Sequence, residues 1–194
     1  MSFKNALKKF WKFVWHDDSI ASWIVAFILA FLIVKFIVYP LIGLAFGTSY
    51  PIVAVVSGSM EHEQPFDEWW ELNQDWYEEN NIYKEDFEEF VFKNGFVKGD
   101  IIFLKGTEPK NIKVGDVIVF QSTTVYPVIH RVVKAWEDND YYFQTKGDHN
   151  SKSDPGLLEL EISEDRVLGK TLFRIPKLGW VKLVFVEMFN LGGK

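Results

Sequence analysis

The run from Ile20 to Phe46 is almost wholly apolar, with Lys35 and Pro40 as its interruptions. As a helix rising ~1.5 Å per residue it reaches about 40 Å, more than the ~30 Å hydrocarbon core of a bilayer. A chain of 194 residues carrying such a segment has room for one compact domain beside a membrane anchor. Lys4, Lys8, Lys9 and Lys12 precede the run, whereas 47–60 contains no cation. The positive-inside bias therefore predicts a cytoplasmic N-terminus over 1–19, a transmembrane anchor over 20–46 and an extracytoplasmic domain over 47–194. Lys35 falls about 22 Å along, near enough to the far interface to snorkel; an intramembrane functional charge is the alternative. Ala45-Phe46-Gly47 has the small-x-small form of a cleavage site, but the apolar run exceeds the ~7–15 residues of a signal core, so the segment is expected to be retained.

The net charge of −6 argues against a nucleic-acid partner held by basic patches. With no cysteine, disulfides and thiolate metal sites are both excluded. Aromatic residues make up 17% of the chain, a content that suits interfacial surface.

After the anchor, Ile52, Val53, Ala54, Val55 and Val56 form a short β-rich run that leads into Ser57-Gly58-Ser59-Met60. Further strands are predicted over 100–105, 116–121, 128–134, 141–146 and 166–175, separated by turn chemistry such as Val114-Gly115-Asp116 and Asp138-Asn139-Asp140. The fold class is therefore mainly β: a single N-terminal transmembrane helix plus an antiparallel extracytoplasmic β domain. An insert over 61–98 differs in kind, because between Glu61 and Glu89 twelve acids stand against Lys84 alone. Phe66, Trp69, Trp70 and Tyr77 share one helical face, and Tyr83, Phe87, Phe90 and Val91 another. Pro65, Asn80-Asn81 and Asn94-Gly95 punctuate it as a start, a break and a cap, so two short helices are expected. They either pack their aromatics on the sheet or present a docking surface. A final apolar stretch, 176–191, is too short and interrupted to span a bilayer and reads as an amphipathic segment at an interface.

Three pieces carry chemistry, Ser57 to Met60, Val128 to Val132 and Lys146 to Asp154, supplying a serine, a histidine and aspartates in that order. Ser59 supplies a hydroxyl, and a serine attacks only when a base takes its proton. Histidine suits that task, since its unperturbed pKa of ~6.5 lies near working pH, and it needs a carboxylate to hold its tautomer. His130 stands on a predicted strand, on the same face as Val128 and Val132 and opposite Arg131. His16 precedes the anchor, and His62, His130 and His149 show no metal-ligand spacing, so neither a metal nor a cofactor is expected. Gly58-Ser59-Met60 also lacks the Gly-x-Ser-x-Gly elbow of α/β-hydrolases.

Taken together, Ser57-Gly58-Ser59-Met60-Glu61, Gly99-Asp100, Val114-Gly115-Asp116, Val128 to Val133 and Thr145 to Asp154 resemble the type I signal peptidase family, in its archaeal and endoplasmic-reticulum branch. His130 assigns the branch, because the bacterial one carries lysine there. The resemblance implies a signal-peptidase type of β domain and a membrane-bound serine endopeptidase that removes signal peptides from secretory precursors. It implies Ser59 as nucleophile, His130 as general base and Asp154 as orienting acid. Ser57 matches the position that helps hold the oxyanion, and Asp148 a second acid supporting loop geometry or Arg131. Ile52 to Val56 would receive the substrate strand, with pockets for small residues before the cut. The implied partners are secretory precursors, the lipid bilayer and further membrane subunits. Two departures stand out: Glu61-His62 replaces the usual Glu-Pro and is followed by the insert, and His149 replaces an asparagine. The rival reading is a catalytically inactive, membrane-anchored accessory or receptor domain, for which the acidic-aromatic insert would be the interaction surface.

Overall fold

The computed structural model describes residues 3–178, so the amphipathic stretch expected over 176–191 lies outside the described residues beyond Leu178. The chain divides into two units, Met1–Ala45 and Phe46–Lys194.

In the first unit, α1 (Phe3–His16) precedes α2 (Ile20–Ile33), whose N-terminus is capped by the Ser19 side chain. The π-turn Val34–Val38 joins α2 to α3 (Tyr39–Phe46). The three segments form one helix, Ile20–Phe46, of 27 residues, long and apolar enough to cross a membrane. Pro40 brings no N–H to a helix interior, and the wider π-turn lies just ahead of it. Lys35 extends over the Phe31 and Phe36 rings, with Nζ 5.7 and 5.4 Å from their centroids.

The second unit is built on one antiparallel sheet. Its strands are β1 (Ile52–Ala54), β2 (Ile101–Lys105), β3 (Val117–Phe120), β4 (Val128–Asp138), β5 (Asp140–Lys146), β6 (Ile162–Ser163) and β7 (Val167–Ile175). The seven are ordered β1-β2-β7-β3-β4-β5-β6, which leaves β1 and β6 as edges. Alternation along β3 sends Val117 and Val119 into one core with Met60, Phe96, Ile102 and Leu104. It sends Ile118 and Phe120 into another with Ile112, Val132, Phe143 and Ile162. Strand β4 runs past its expected end at Lys134 to a tight turn in which Asn139 takes a left-handed φ of 60°.

The insert forms α4 (Phe66–Glu79) and α5 (Lys84–Glu89), separated by Asn80 and a left-handed Asn81. Trp69, Trp70, Tyr77, Ile82 and Phe87 gather into a third cluster that closes on Val133 of β4. The aromatics thus pack on the sheet. Tyr83 and Val91, expected on the second apolar face, are instead half exposed, because α5 ends at Glu89 and Tyr83 only precedes it. Gly95 ends the insert with φ +64°, where a Cβ would stand 1.9 Å from the Met60 carbonyl oxygen, so only glycine fits.

Candidate active site

His130 and Arg131 are neighbours on β4 and project to opposite faces. His130 pairs with Ile118 in the ladder and is almost completely buried. Its Nε2 lies 3.1 Å from Ser59 Oγ, and its Nδ1 lies 2.5 Å from Glu159 Oε2. An ionised carboxylate only accepts, so Nδ1 carries the proton toward Glu159 and leaves Nε2 to accept from the Ser59 hydroxyl.

Ser59 sits in the tight turn that follows β1, closed by the Glu61 N–H on the Gly58 carbonyl at 3.0 Å. The His149 N–H holds the Ser59 carbonyl at 2.9 Å. Gly147 allows this approach: a Cβ there would stand 2.6 Å from the Ser59 carbonyl oxygen and 2.8 Å from His130 Nε2. Ser57 Oγ is 3.2 Å from Ser59 Oγ, so both hydroxyls face the same space. That space is a cleft of about 310 Å³ lined by Ala54, Val56, Tyr126, Val128, Ile129 and Leu157 beside the two serines and His130. Of the run expected to receive substrate, Ile52, Val53 and Ala54 form edge strand β1, Val55 is buried in the core, and Val56 turns out toward solvent.

Asp154 does not take the place the resemblance implied. Its Oδ1 accepts the Gly156 N–H at 2.8 Å, capping the short 3-10 turn Pro155–Leu157. Both His130 nitrogens are already engaged by Ser59 and Glu159. The carboxylate on the ring is that of Glu159, a residue the sequence did not single out. It is fully buried, accepts from Thr145 Oγ1 at 3.0 Å through Oε2, and accepts the Asp154 N–H through Oε1. Asp154 therefore meets the site only through its backbone.

On the other face of β4, Arg131 grips Asp148 with two bonds, Nε to Oδ1 at 2.9 Å and Nη2 to Oδ2 at 2.7 Å. Its remaining donors reach the carbonyls of Val91, Phe92 and Gly115. His62 Nε2 lies 3.1 Å from Asp148 Oδ2, and its ring stacks on Trp69 at 3.8 Å. Lys146 Nζ donates to the Tyr77 hydroxyl at 3.2 Å. Burial alone would raise the Asp148 carboxyl, but the Arg131 charge and the bonds from His62 and Arg131 hold it well below the usual carboxylate range. Burial lowers Lys146 to about 8 despite the nearby Asp148 carboxylate. The Tyr77 hydroxyl is pushed up, first by burial and then by Asp148.

No family model matches the chain. It is similar to the signal peptidase complex catalytic subunit SEC11 of Scheffersomyces stipitis, with 27% identity over 158 residues, 78% of this chain and 75% of that protein. It is 29% identical over 144 residues to the human subunit SEC11C, covering 71% of this chain and 58% of that protein. It is 37% identical over 99 residues to SEC11 of Eremothecium gossypii, 47% of this chain and 59% of that protein. The match thus spans three quarters of the first relative and less than two thirds of the other two. Together with the ordered motifs, the antiparallel sheet and the apolar helix, these similarities bear out the resemblance to type I signal peptidases, and the relatives in question are SEC11 catalytic subunits.

Proposed function

We propose that this chain is a membrane-anchored serine endopeptidase that removes signal peptides from secretory precursors. The observation that carries the reading is the hydrogen-bonded series Ser59–His130–Glu159 at the wall of an open cleft. Ser59 Oγ attacks the scissile carbonyl while His130 Nε2 takes its proton. Glu159 keeps the ring in the reactive tautomer and stabilises the imidazolium that forms. The Ser59 N–H and the Ser57 hydroxyl hold the tetrahedral oxyanion. His130 then protonates the departing amine, and water, deprotonated by the same ring, releases the acyl group.

The precursor adds as a strand beside the free edge of β1, with Ala54 and Val56 opening onto the cleft. The cluster of lysines before Ile20 favours an N-terminus in the cytoplasm and a catalytic unit on the far side of the membrane. The relatives' names describe subunits of a complex, so further membrane subunits are proposed as partners of this chain too.

The test is precursor cleavage by the full chain in membranes. Ser59→Ala should abolish it at unchanged expression and fold. Undiminished cleavage would overturn the reading in favour of an accessory domain.

A further inference from the structure

The N-terminal helix has two sides that the catalytic reading leaves unused. At ~100° per residue, Phe3, Leu7, Phe10, Val14 and Trp11 fall on one side of α1, and Lys8, Lys9, Lys12 and Asn5 on the other. Lys4 flanks the apolar side, and the helix contains no acid. Phe3, Leu7, Phe10 and Trp11 are between 43% and 81% exposed, so among the described residues that side is covered only at Val14, which is half-buried near α2.

The position of α1 is fixed by a short, hydrogen-bonded turn. Asp17 Oδ1 accepts the Ser19 N–H at 2.8 Å, and Ser19 Oγ accepts the Ser22 N–H at 3.2 Å. Ser22 Oγ donates to the Phe13 carbonyl at 2.6 Å, and Ser22 is the one buried residue of α2. The end of α1 is thereby pinned to the first turn of the apolar span, at the level where hydrocarbon meets water. Between the two helices an apolar crook of about 580 Å³, lined by Trp15, Trp23, Ala26, Leu29 and Ile33, opens where acyl chains would lie. Trp15 and Trp23 are the residue type that settles at this depth.

We propose that α1 lies in the membrane interface and binds anionic lipid headgroups through Lys4, Lys8, Lys9 and Lys12. Its apolar side enters the headgroup–acyl boundary, and its lysines face the phosphates. Charge complementarity selects an anionic bilayer over a neutral one, and continuity with the span selects a bilayer over a soluble partner. The inference is independent of the serine chemistry, because it rests on the first unit alone.

The chain lacks cysteine, so single labels can be placed cleanly. Full-length protein carrying a fluorophore at Leu7→Cys or at Asn5→Cys would be held in nanodiscs of phosphatidylcholine, with and without phosphatidylglycerol. Quenching by lipid-borne nitroxide would be compared with quenching by aqueous iodide. At position 7 the lipid-to-water quenching ratio should rise at least about fivefold on adding phosphatidylglycerol, the factor one lysine contributes at an anionic surface. The triple variant Lys8→Gln, Lys9→Gln, Lys12→Gln should lose that rise, and position 5 should remain open to iodide. Equal ratios in the two lipids, or like quenching at positions 5 and 7, would overturn the proposal. Shielding of position 7 from both quenchers would overturn it in favour of a protein contact.

Discussion

The two faces of β4 carry two polar clusters built on adjacent residues, and they are organised for opposite ends. On one face His130 is buried to its ring but meets Ser59 at a cleft wall, so its hydrogen bonds can change partners during a reaction. On the other, Arg131 is sealed among Asp148, three backbone carbonyls, and Phe87, whose ring centroid lies 4.7 Å from its guanidinium carbon. Each of the five Arg131 donors has a fixed acceptor. The insert supplies much of this second cluster: His62 binds Asp148, Tyr77 takes Lys146, and Val91 and Phe92 lend carbonyls to Arg131. The closed face braces the strand and the 146–150 loop, whose His149 N–H in turn holds Ser59. A reactive cluster can be open on one side of a strand because a closed one, centred on Arg131, fixes the same strand from behind.

The strongest way to test this division is to disturb each face and read rate and fold separately. Glu159→Gln keeps the side chain's shape but removes the charge that fixes the His130 tautomer, and should lower kcat by about 10²–10⁴. Its thermal midpoint should fall less than that of Arg131→Met. The latter leaves a buried carboxylate with only His62 and the Tyr77 hydroxyl as side-chain partners, and should cost ~3–5 kcal/mol of stability while leaving cleavage per folded molecule nearly intact. Precursor cleavage normalised to the folded fraction, measured beside denaturation, checks both. A reversed outcome, with Arg131→Met inactive yet stable and Glu159→Gln active, would dissolve the distinction between the faces.

Which parts of the two clusters could be read in advance follows from periodicity. Ser59 and His130 were legible because each sits in a motif, and Asp148 because Gly147-Asp148 accompanies them. Glu159 was hidden by an inverted pattern. In Leu158-Glu159-Leu160 the ordinary alternation puts the leucines inside, yet Leu158 and Leu160 are 52% and 45% exposed while Glu159 is fully buried. Leu158 adopts a left-handed φ of 53°, which turns the chain against that expectation. Asp154 attracted the role through its place in the motif, and sequence cannot tell an acid that caps a turn from one that reaches a ring. The aromatic spacing announced the helical insert, but nothing local indicated that His62, next to Glu61, would reach an acid 86 residues away. Strand β6, with two residues, is too short for alternation to mark.

A smaller effect should separate the faces by pH. Lys146 sits in the closed cluster with its pKa lowered to about 8, whereas an unfolded lysine titrates near ~10.4. Below about pH 8 the ammonium is charged in both states and its burial weighs against the fold. Between about 8 and 10 the unfolded chain binds more protons, so stability should rise with pH by up to ~3 kcal/mol. Tyr77 limits that window, since its raised pKa makes the fold lose stability once unfolded tyrosine ionises above ~10. Lys146→Met should flatten the rise. Denaturant midpoints of both proteins across this range provide the measurement, and an unchanged slope in the variant would assign the rise to another group.

The smallest expected effect falls on the residue that the motif pointed to most directly. Asp154 caps the Pro155–Leu157 turn through its side chain and touches Glu159 only by its N–H. Asp154→Asn retains an acceptor for the Gly156 N–H and leaves the backbone bond in place. It should therefore cost no more than ~1 kcal/mol and change kcat by only a few-fold. Asp154→Ala removes the cap and should approach the full ~1 kcal/mol, again with cleavage largely kept. Set beside Glu159→Gln in the same assay, the pair asks which carboxylate the ring uses. A loss on Asp154→Asn as deep as on Glu159→Gln would mean that the 154–159 turn rearranges during catalysis and brings Asp154 onto His130. Loss on Glu159→Gln alone would leave Asp154 as the residue that shapes the turn holding Glu159 in place.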